Sequence, residues 1–237
     1  MGVIIFNGVS SLDYGIQVES PPNYEIPERN YEITPIPGRN GELTLDRGGY
    51  KNVNRSYQIA IGAVGGDFTT LANKISKWLH SGSGYARLED SYEPDHYKLA
   101  TYSEDGSISN ILQQAGRLTI NFNRKPQRFL KTGDTKSIIT IPTTLVNPTD
   151  QSALPIITVK GSGAGVLHVG SYVVTISDII NYIDLNSDIE EAYNGIINLN
   201  GYITLSNGFP KLIPGDNLIS FSGGITSVEV LPKWWTI

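Results

Sequence analysis

Over much of this chain apolar and polar residues alternate in twos. Tyr57-Gln58-Ile59-Ala60-Ile61 does so, and Leu118-Thr119-Ile120-Asn121-Phe122-Asn123 does so again. Each run puts every second side chain on one face of a strand. One segment changes period. Phe68, Leu71, Ala72, Ile75, Trp78 and Leu79 follow the i, i+3, i+4, i+7 rule, which predicts an amphipathic helix with Trp78 packed against a sheet. Asp67 is its expected N-cap, Gly82 and Gly84 its expected stop, and Asn73, Lys74 and Lys77 its solvent face. Asn40-Gly41 sits between Ile33/Ile36 and Leu43/Leu45 and predicts a type I′ hairpin tip. Pro35 and Pro37 cannot donate to a ladder, so the first arm of this hairpin reads as an edge or an extended arm able to reach a neighbouring subunit.

The second part of the chain predicts short strands at 156–160, 166–169, 172–176, 179–184, 196–199, 202–205, 218–221 and 226–231. Turn signals separate them: Gly170-Ser171, Asn200-Gly201, Asn207-Gly208, Pro214-Gly215 and Gly223-Gly224. This spacing is that of an antiparallel sandwich or barrel. Gly161-Ser162-Gly163-Ala164-Gly165 has glycines at alternate positions but leads into a strand rather than a helix, so it reads as a glycine hairpin and not as a phosphate loop.

Composition agrees with a β-rich fold. Ile (29) and Val (13) together far exceed Leu (19), and β-branched side chains favour the pleated surface. Charge divides the chain: residues 1–145 carry 15 Lys/Arg and 15 Asp/Glu, residues 146–237 only 3 and 8. The turn-rich stretch Asn147–Pro155 lies at the change, which predicts domains at 1–145 and 146–237. The net charge of −5 argues against a free-standing nucleic-acid binder. With no cysteine, disulfides, thiolate metal sites and cysteine nucleophiles are excluded. The three histidines, His80, His96 and His168, lie in no ligand spacing. The opening residues lack a basic n-region, and no apolar run reaches membrane-span length, so a soluble chain folded in a cytosol is expected.

Four segments carry candidate chemistry. Leu88 to His96 gathers Glu89, Asp90, Glu93 and Asp95 with a histidine. That set suits a divalent-ion loop or a glycosidase-like acid pair, but lacks the alternate ligands of a calcium loop, so a solvated turn between strands is the better reading. Arg117, Arg124, Lys125, Arg128, Lys131 and Lys136 form a basic run, which reads as a solvated or interface-facing strand end more readily than as a phosphate site. Trp234 and Trp235, with Tyr202 and Tyr172, offer either a stacking platform for sugar or the closure of a sandwich core. No catalytic residue set, no cofactor cradle and no metal cluster is expected.

Taken in order, several motifs resemble those of the distal tail proteins of long-tailed, non-contractile phages. They begin with Phe6-Asn7-Gly8, Leu12-Asp13-Tyr14-Gly15, Ile36-Pro37-Gly38-Arg39-Asn40-Gly41 and Asp46-Arg47-Gly48-Gly49-Tyr50-Lys51-Asn52. They continue through Lys77-Trp78-Leu79, Tyr85 to Leu88, Asp90, Tyr97 to Ala100 and Arg124-Lys125-Pro126. The last are Gly161-Ser162-Gly163, Phe209-Pro210-Lys211-Leu212, Pro214-Gly215-Asp216-Asn217 and Trp234-Trp235. No long insertion is present of the kind that houses an extra carbohydrate-binding module.

The resemblance implies a mainly β chain. Its N-terminal domain would be a tail-tube-like β-sandwich with one α-helix and an extended hairpin arm, and its C-terminal domain a galectin-like antiparallel β-sandwich. The N-terminal domains would form a homohexameric ring, with rings possibly stacked, in which the arm near 31–50 embraces its neighbour. Arg39, Asn40, Asp46, Arg47 and Tyr50 are the expected interface residues. The ring would join the tail tube protein to the tail-associated hub protein at the virion tail tip, after assembly in the host cytoplasm. Receptor-binding or baseplate proteins would dock on it, and DNA would only pass through its lumen. No membrane contact and no enzymatic activity are implied. A second expectation is a carbohydrate-binding accessory protein using Tyr202, Trp234 and Trp235. The weakest is a glycan hydrolase using Glu89, Asp90, Glu93 and Asp95.

Overall fold

The computed structural model describes residues 1–61, 68–103 and 117–237. The chain divides into two compact units, Met1–Arg128 with Ile237, and Phe129–Thr236.

The first unit contains β1 (Ile4–Phe6), β2 (Val9–Ser10), β3 (Ile16–Val18), β4 (Arg29–Pro35), β5 (Glu42–Tyr50), β6 (Val53–Ile61), α1 (Phe68–Leu79), β7 (Ala86–Asp90), β8 (His96–Ser103) and β9, which begins at Arg117 and runs to Leu130. One antiparallel sheet has the order β2-β1-β7-β8-β9-β6-β3. It curls until Gly2, just ahead of β1, pairs with Val18 of β3: the Gly2 amide donates to the Val18 carbonyl at 2.9 Å and the reverse bond is 2.8 Å. The curled face and α1 enclose a core that includes Ile4, Phe6, Tyr57, Ile59, Ile75, Leu88 and Phe122. Trp78 lies in this core as the periodicity requires. Its indole donates to the Phe6 carbonyl at 3.0 Å and stacks on Tyr14. Asn73, Lys74 and Lys77 face outward. The expected N-cap, Asp67, lies outside the described residues.

The second unit contains β10 (Ser137–Ile139), β11 (Thr143–Asn147), β12 (Ile156–Val169), β13 (Tyr172–Asn186), β14 (Glu191–Asn194), β15 (Ile197–Asn198), β16 (Ile203–Leu205), β17 (Gly215–Leu231) and β18 (Trp235–Thr236). Residues 129–145, which the charge pattern assigned to the first domain, belong to this unit. β10 and β11 both pair with β17, because main-chain hydrogen bonds rather than surface charge decide membership.

Three long strands, β12, β13 and β17, organise this unit. Each was read from sequence as two short strands. Midway along, each slips register: β12 against β13 between Gly163 and Gly165, and β12 against β17 between Lys160 and Gly165. Such bulges bend strands sharply. The bend lets one half of each strand serve one layer and the other half the opposite layer. One layer therefore runs β16-β13-β12-β17-β11 and the other β15-β14-β13-β12-β17-β10. Their inner faces share one core, with Ile157, Val159, Ile183, Leu185 and Val228 from one set of halves and Leu167, Val169, Val174, Ile176 and Ile219 from the other.

The expected hairpin at Gly161–Gly165 is thus a mid-strand corner, and Gly223-Gly224 is its counterpart on β17. A Cβ on Gly161 would collide with the carbonyl oxygen of Gly224, and one on Gly224 with that of Ser162. Two backbones touch where no side chain can fit, and only glycine allows that approach.

Candidate assembly site

Among the described residues, β4 and β5 pair only with each other and form a two-stranded ribbon. A hairpin of this size has no core of its own. In register, Tyr31 opposes Asp46, Glu32 opposes Leu45, Ile33 opposes Thr44 and Thr34 opposes Leu43. Tyr31 and Ile33 therefore share one face and Leu43 and Leu45 the other. All four are open to solvent, at 46%, 55%, 57% and 49%. Apolar side chains on both faces of an unsupported ribbon mark a surface for something else to cover.

The tip differs from the expected type I′ turn at Asn40-Gly41. The Arg39 amide donates to the Ile36 carbonyl at 3.2 Å, with Pro37 and Gly38 between them and Gly38 at φ 75°. Pro followed by a left-handed Gly is the chemistry of a type II turn. Asn40 has no positive φ; Gly41 does, at 87°. Proline set the turn three residues earlier than Asn-Gly by itself would have.

Of the five expected interface residues, three stitch the ribbon internally. Asp46 pairs with Arg29 at 3.0 Å and accepts the Gly48 amide at 2.9 Å. Arg47 pairs with Glu32 through its Nε at 2.6 Å. Tyr50 lies under the Arg29 guanidinium, 5.1 Å from the ring centre. Arg39 and Asn40 stand at the tip. The apolar residues Tyr31, Ile33, Leu43 and Leu45 were not among the expected interface set, although their alternation along both strands was visible.

The acidic loop and the basic run, unrelated in sequence, meet at the root of this arm. Asp90 ends β7. Its Oδ1 accepts the Tyr92 and Glu93 amides, both at 3.0 Å, and so closes the turn. Its Oδ2 accepts the Tyr57 hydroxyl at 2.7 Å and the Lys98 ammonium at 3.0 Å, with Arg55 at 3.5 Å. Glu93 pairs with Lys98, and with Arg128 at 2.7 Å. Burial opposes ionisation of both carboxyls, but Lys98 with Tyr57 and Arg55 outweighs it at Asp90, and Lys98 with Arg128 at Glu93. Both are held below the ordinary carboxylate range. Burial pushes the Tyr57 hydroxyl upward, and the charge of the same aspartate adds to it.

The arginines then hold the segment at 21–28 that leads into β4. Arg55 donates to the Asn23 carbonyl at 2.8 Å, and Arg128 lies over the Tyr24 ring at 5.4 Å. The Glu25 carboxyl is raised by burial, against the pull of Arg55 and Arg124. The solvated turn expected at 88–96 is therefore a turn whose two key carboxylates point inward. Arg124, expected at a solvated or interface-facing strand end, is buried and donates to the Lys125 and Pro126 carbonyls. A glycosidase acid must keep its proton, with a raised pKa. Asp90 and Glu93 are shifted in the opposite direction.

In the second unit Trp234 is 5% exposed and belongs to the core, which withdraws it from any stacking platform. Trp235 packs against that core, and its indole donates to the Ser152 carbonyl at 3.1 Å. Tyr202, on a single turn ahead of β16, is 44% exposed. The core-closing reading of the tryptophans is what Trp234 performs.

No protein-family model matches the sequence, and no curated protein matches it. Solved structures do share the fold. The crystal structure of the SPP1 Dit protein (gp 19.1), described as a paradigm of the hub adsorption apparatus in phages that infect Gram-positive bacteria, superposes with a TM-score of 0.72. The match covers 97% of this chain and 98% of that one at 14% identity. The chain has the distal tail protein fold. A chain of the phage p2 baseplate in its activated conformation with Sr superposes at 0.51, at 10% identity, over 97% of this chain and 96% of that one. The distal tail fold thus extends over nearly the whole sequence at 14% identity.

Proposed function

We propose that this chain is a structural hub of a phage distal tail, and that copies of it close into a homohexameric ring through the β4–β5 arm. The ring joins the tail tube to the tail-associated hub protein, supports the adsorption apparatus and leaves a lumen for DNA. The observation that carries this reading is the arm, a ribbon with half-exposed apolar side chains on both faces that no described residue of its own chain covers. A head-to-tail contact of this kind generates a ring when its rotation closes. The ionic root supports the same role, because it fixes the segment from which the arm departs. The likeness to Dit and baseplate chains points to the tail tip as the place of work.

Native mass measurement and negative-stain imaging of the purified protein test the reading. Six-membered rings with a central hole are expected. A protein that stays monomeric at high concentration, and that is absent from the tips of intact tails, would overturn it. The glycan-binding alternative lacks a carrying observation, since Trp234 is committed to the core.

A further inference from the structure

The chain contains five Asn-Gly pairs: Asn7-Gly8, Asn40-Gly41, Asn194-Gly195, Asn200-Gly201 and Asn207-Gly208. All five share one covalent hazard. A glycine has no Cβ to hinder its backbone, so its amide nitrogen can swing onto the side-chain carbonyl carbon of the preceding asparagine. The reacting dipeptide is the same at every pair and only its flanking residues differ, so the larger differences must come from the fold.

Four of the asparagines are held. Asn7 donates from Nδ2 to Ser81 Oγ at 3.1 Å. Asn194 donates to the Tyr182 carbonyl at 2.9 Å and the Ile180 carbonyl at 3.4 Å. Asn200 accepts the Ala192 amide on Oδ1 at 2.6 Å. Asn207 donates to the Ser171 carbonyl at 3.0 Å. Asn40 is exposed and its carboxamide is bonded to no other described residue. Gly41 precedes Glu42, where the ladder begins opposite Pro35, so its amide lies outside the ladder.

We propose that Asn40-Gly41 is a site of spontaneous modification, at which Asn40 of the free chain converts to isoaspartate. The Gly41 nitrogen gives up its proton and attacks Cγ of Asn40. A C–N bond forms, the bond from Cγ to the amide nitrogen breaks, and ammonia leaves with the proton it needs. Water then opens the five-membered imide at either carbonyl, to give isoaspartate or aspartate. The product places a new negative charge at the arm tip, and in the isoaspartate form one more main-chain carbon, between Arg39 and Glu42. This inference does not depend on the hub reading. Under that reading, conversion marks copies whose arm has not been seated.

The test is incubation of dilute, purified full-length protein at mildly alkaline pH, followed by peptide mass mapping and enzymatic labelling of isoaspartate. Each held carboxamide must first break a hydrogen bond, so Asn40 is expected to convert about tenfold faster than any other pair. In urea the five rates are expected to converge. Asn40→Gln, which forms the imide far more slowly, is expected to remove the early isoaspartate signal. Earlier conversion at another pair, a persistent early signal in Asn40→Gln, or an Asn40 lead that survives in urea would overturn the assignment to the fold.

Discussion

Lys98 Nζ lies 3.0 Å from Asp90 Oδ2 across the β7–β8 turn, and the two side chains are 1% and 0% exposed. Neither charge has water to turn to. Replacing Asp90 by a neutral group leaves Lys98 with Glu93 alone and takes a charged acceptor from the buried Tyr57 and Arg55, so cationic charge is left under-compensated where water cannot solvate it. Asp90→Asn is therefore expected to destabilise the first unit by about 3–5 kcal/mol, read as a lowered denaturation midpoint. The second unit's transition should not move. An unchanged first-unit midpoint would mean that water reaches this pair.

Acid should weaken the same unit. Asp90 and Glu93 titrate in the fold below their ordinary values of 3.8 and 4.5. A depressed carboxylate stabilises the fold above its unfolded value, and the contribution drains away as pH falls through the folded value. His96 is also held below its ordinary 6.5, by burial and then by Arg128, so charging it costs stability as pH falls below that value. Glu25 runs the other way, because burial raises it. Stability of the first unit is expected to decline from roughly pH 6.5 and to drop more steeply below the two carboxylates' ordinary values. Thermal melts across pH check this, and Glu93→Gln should flatten the acidic limb.

The glycine corner gives a paired prediction. Gly224→Ala puts a methyl group against the Ser162 carbonyl, whereas Gly201→Ala meets open space. Overpacking of this kind costs about 1–3 kcal/mol or more, while Gly201→Ala should stay within about 0.5 kcal/mol of the parent. Denaturant titration of the second unit separates the two.

Assembly and folding should separate at the arm. Ile33→Asp with Leu45→Asp alters only side chains that are about half exposed and lie outside the core, so the melting temperature of the isolated chain should hold. Native mass spectra should lose the ring. A ring that survives both substitutions would remove the arm from the contact.

Trp234→Ala should cost about 3–5 kcal/mol, as for other buried aromatics. Tyr202→Ala should cost little. Equal small effects in denaturant would place Trp234 outside the core.

The element types were legible because they depend on near neighbours. The helix at 68–79 follows from the 3.6-residue period of Leu71, Ala72, Ile75, Trp78 and Leu79. The arm follows from prolines that cannot donate to a ladder. The glycines at 161–165 were misread because a turn and a bulge need the same residue, and only the strand packed against it tells them apart. The ionic root was missed for a similar reason. Asp90 and Lys98 are close in the chain, but Arg55 and Arg128 come from β6 and β9, and charged residues read one at a time look solvated.

By itself, then, the sequence determined strands, one helix, a free ribbon and the lack of thiol chemistry, since each depends on residue type and local spacing. Only the tertiary structure decided that short strands fuse into long bent ones, that the unit boundary falls at Arg128, and that acidic and basic segments neutralise each other beneath the arm. Those outcomes depend on which distant backbones and charges are brought together once water is excluded, and no local pattern carries that information.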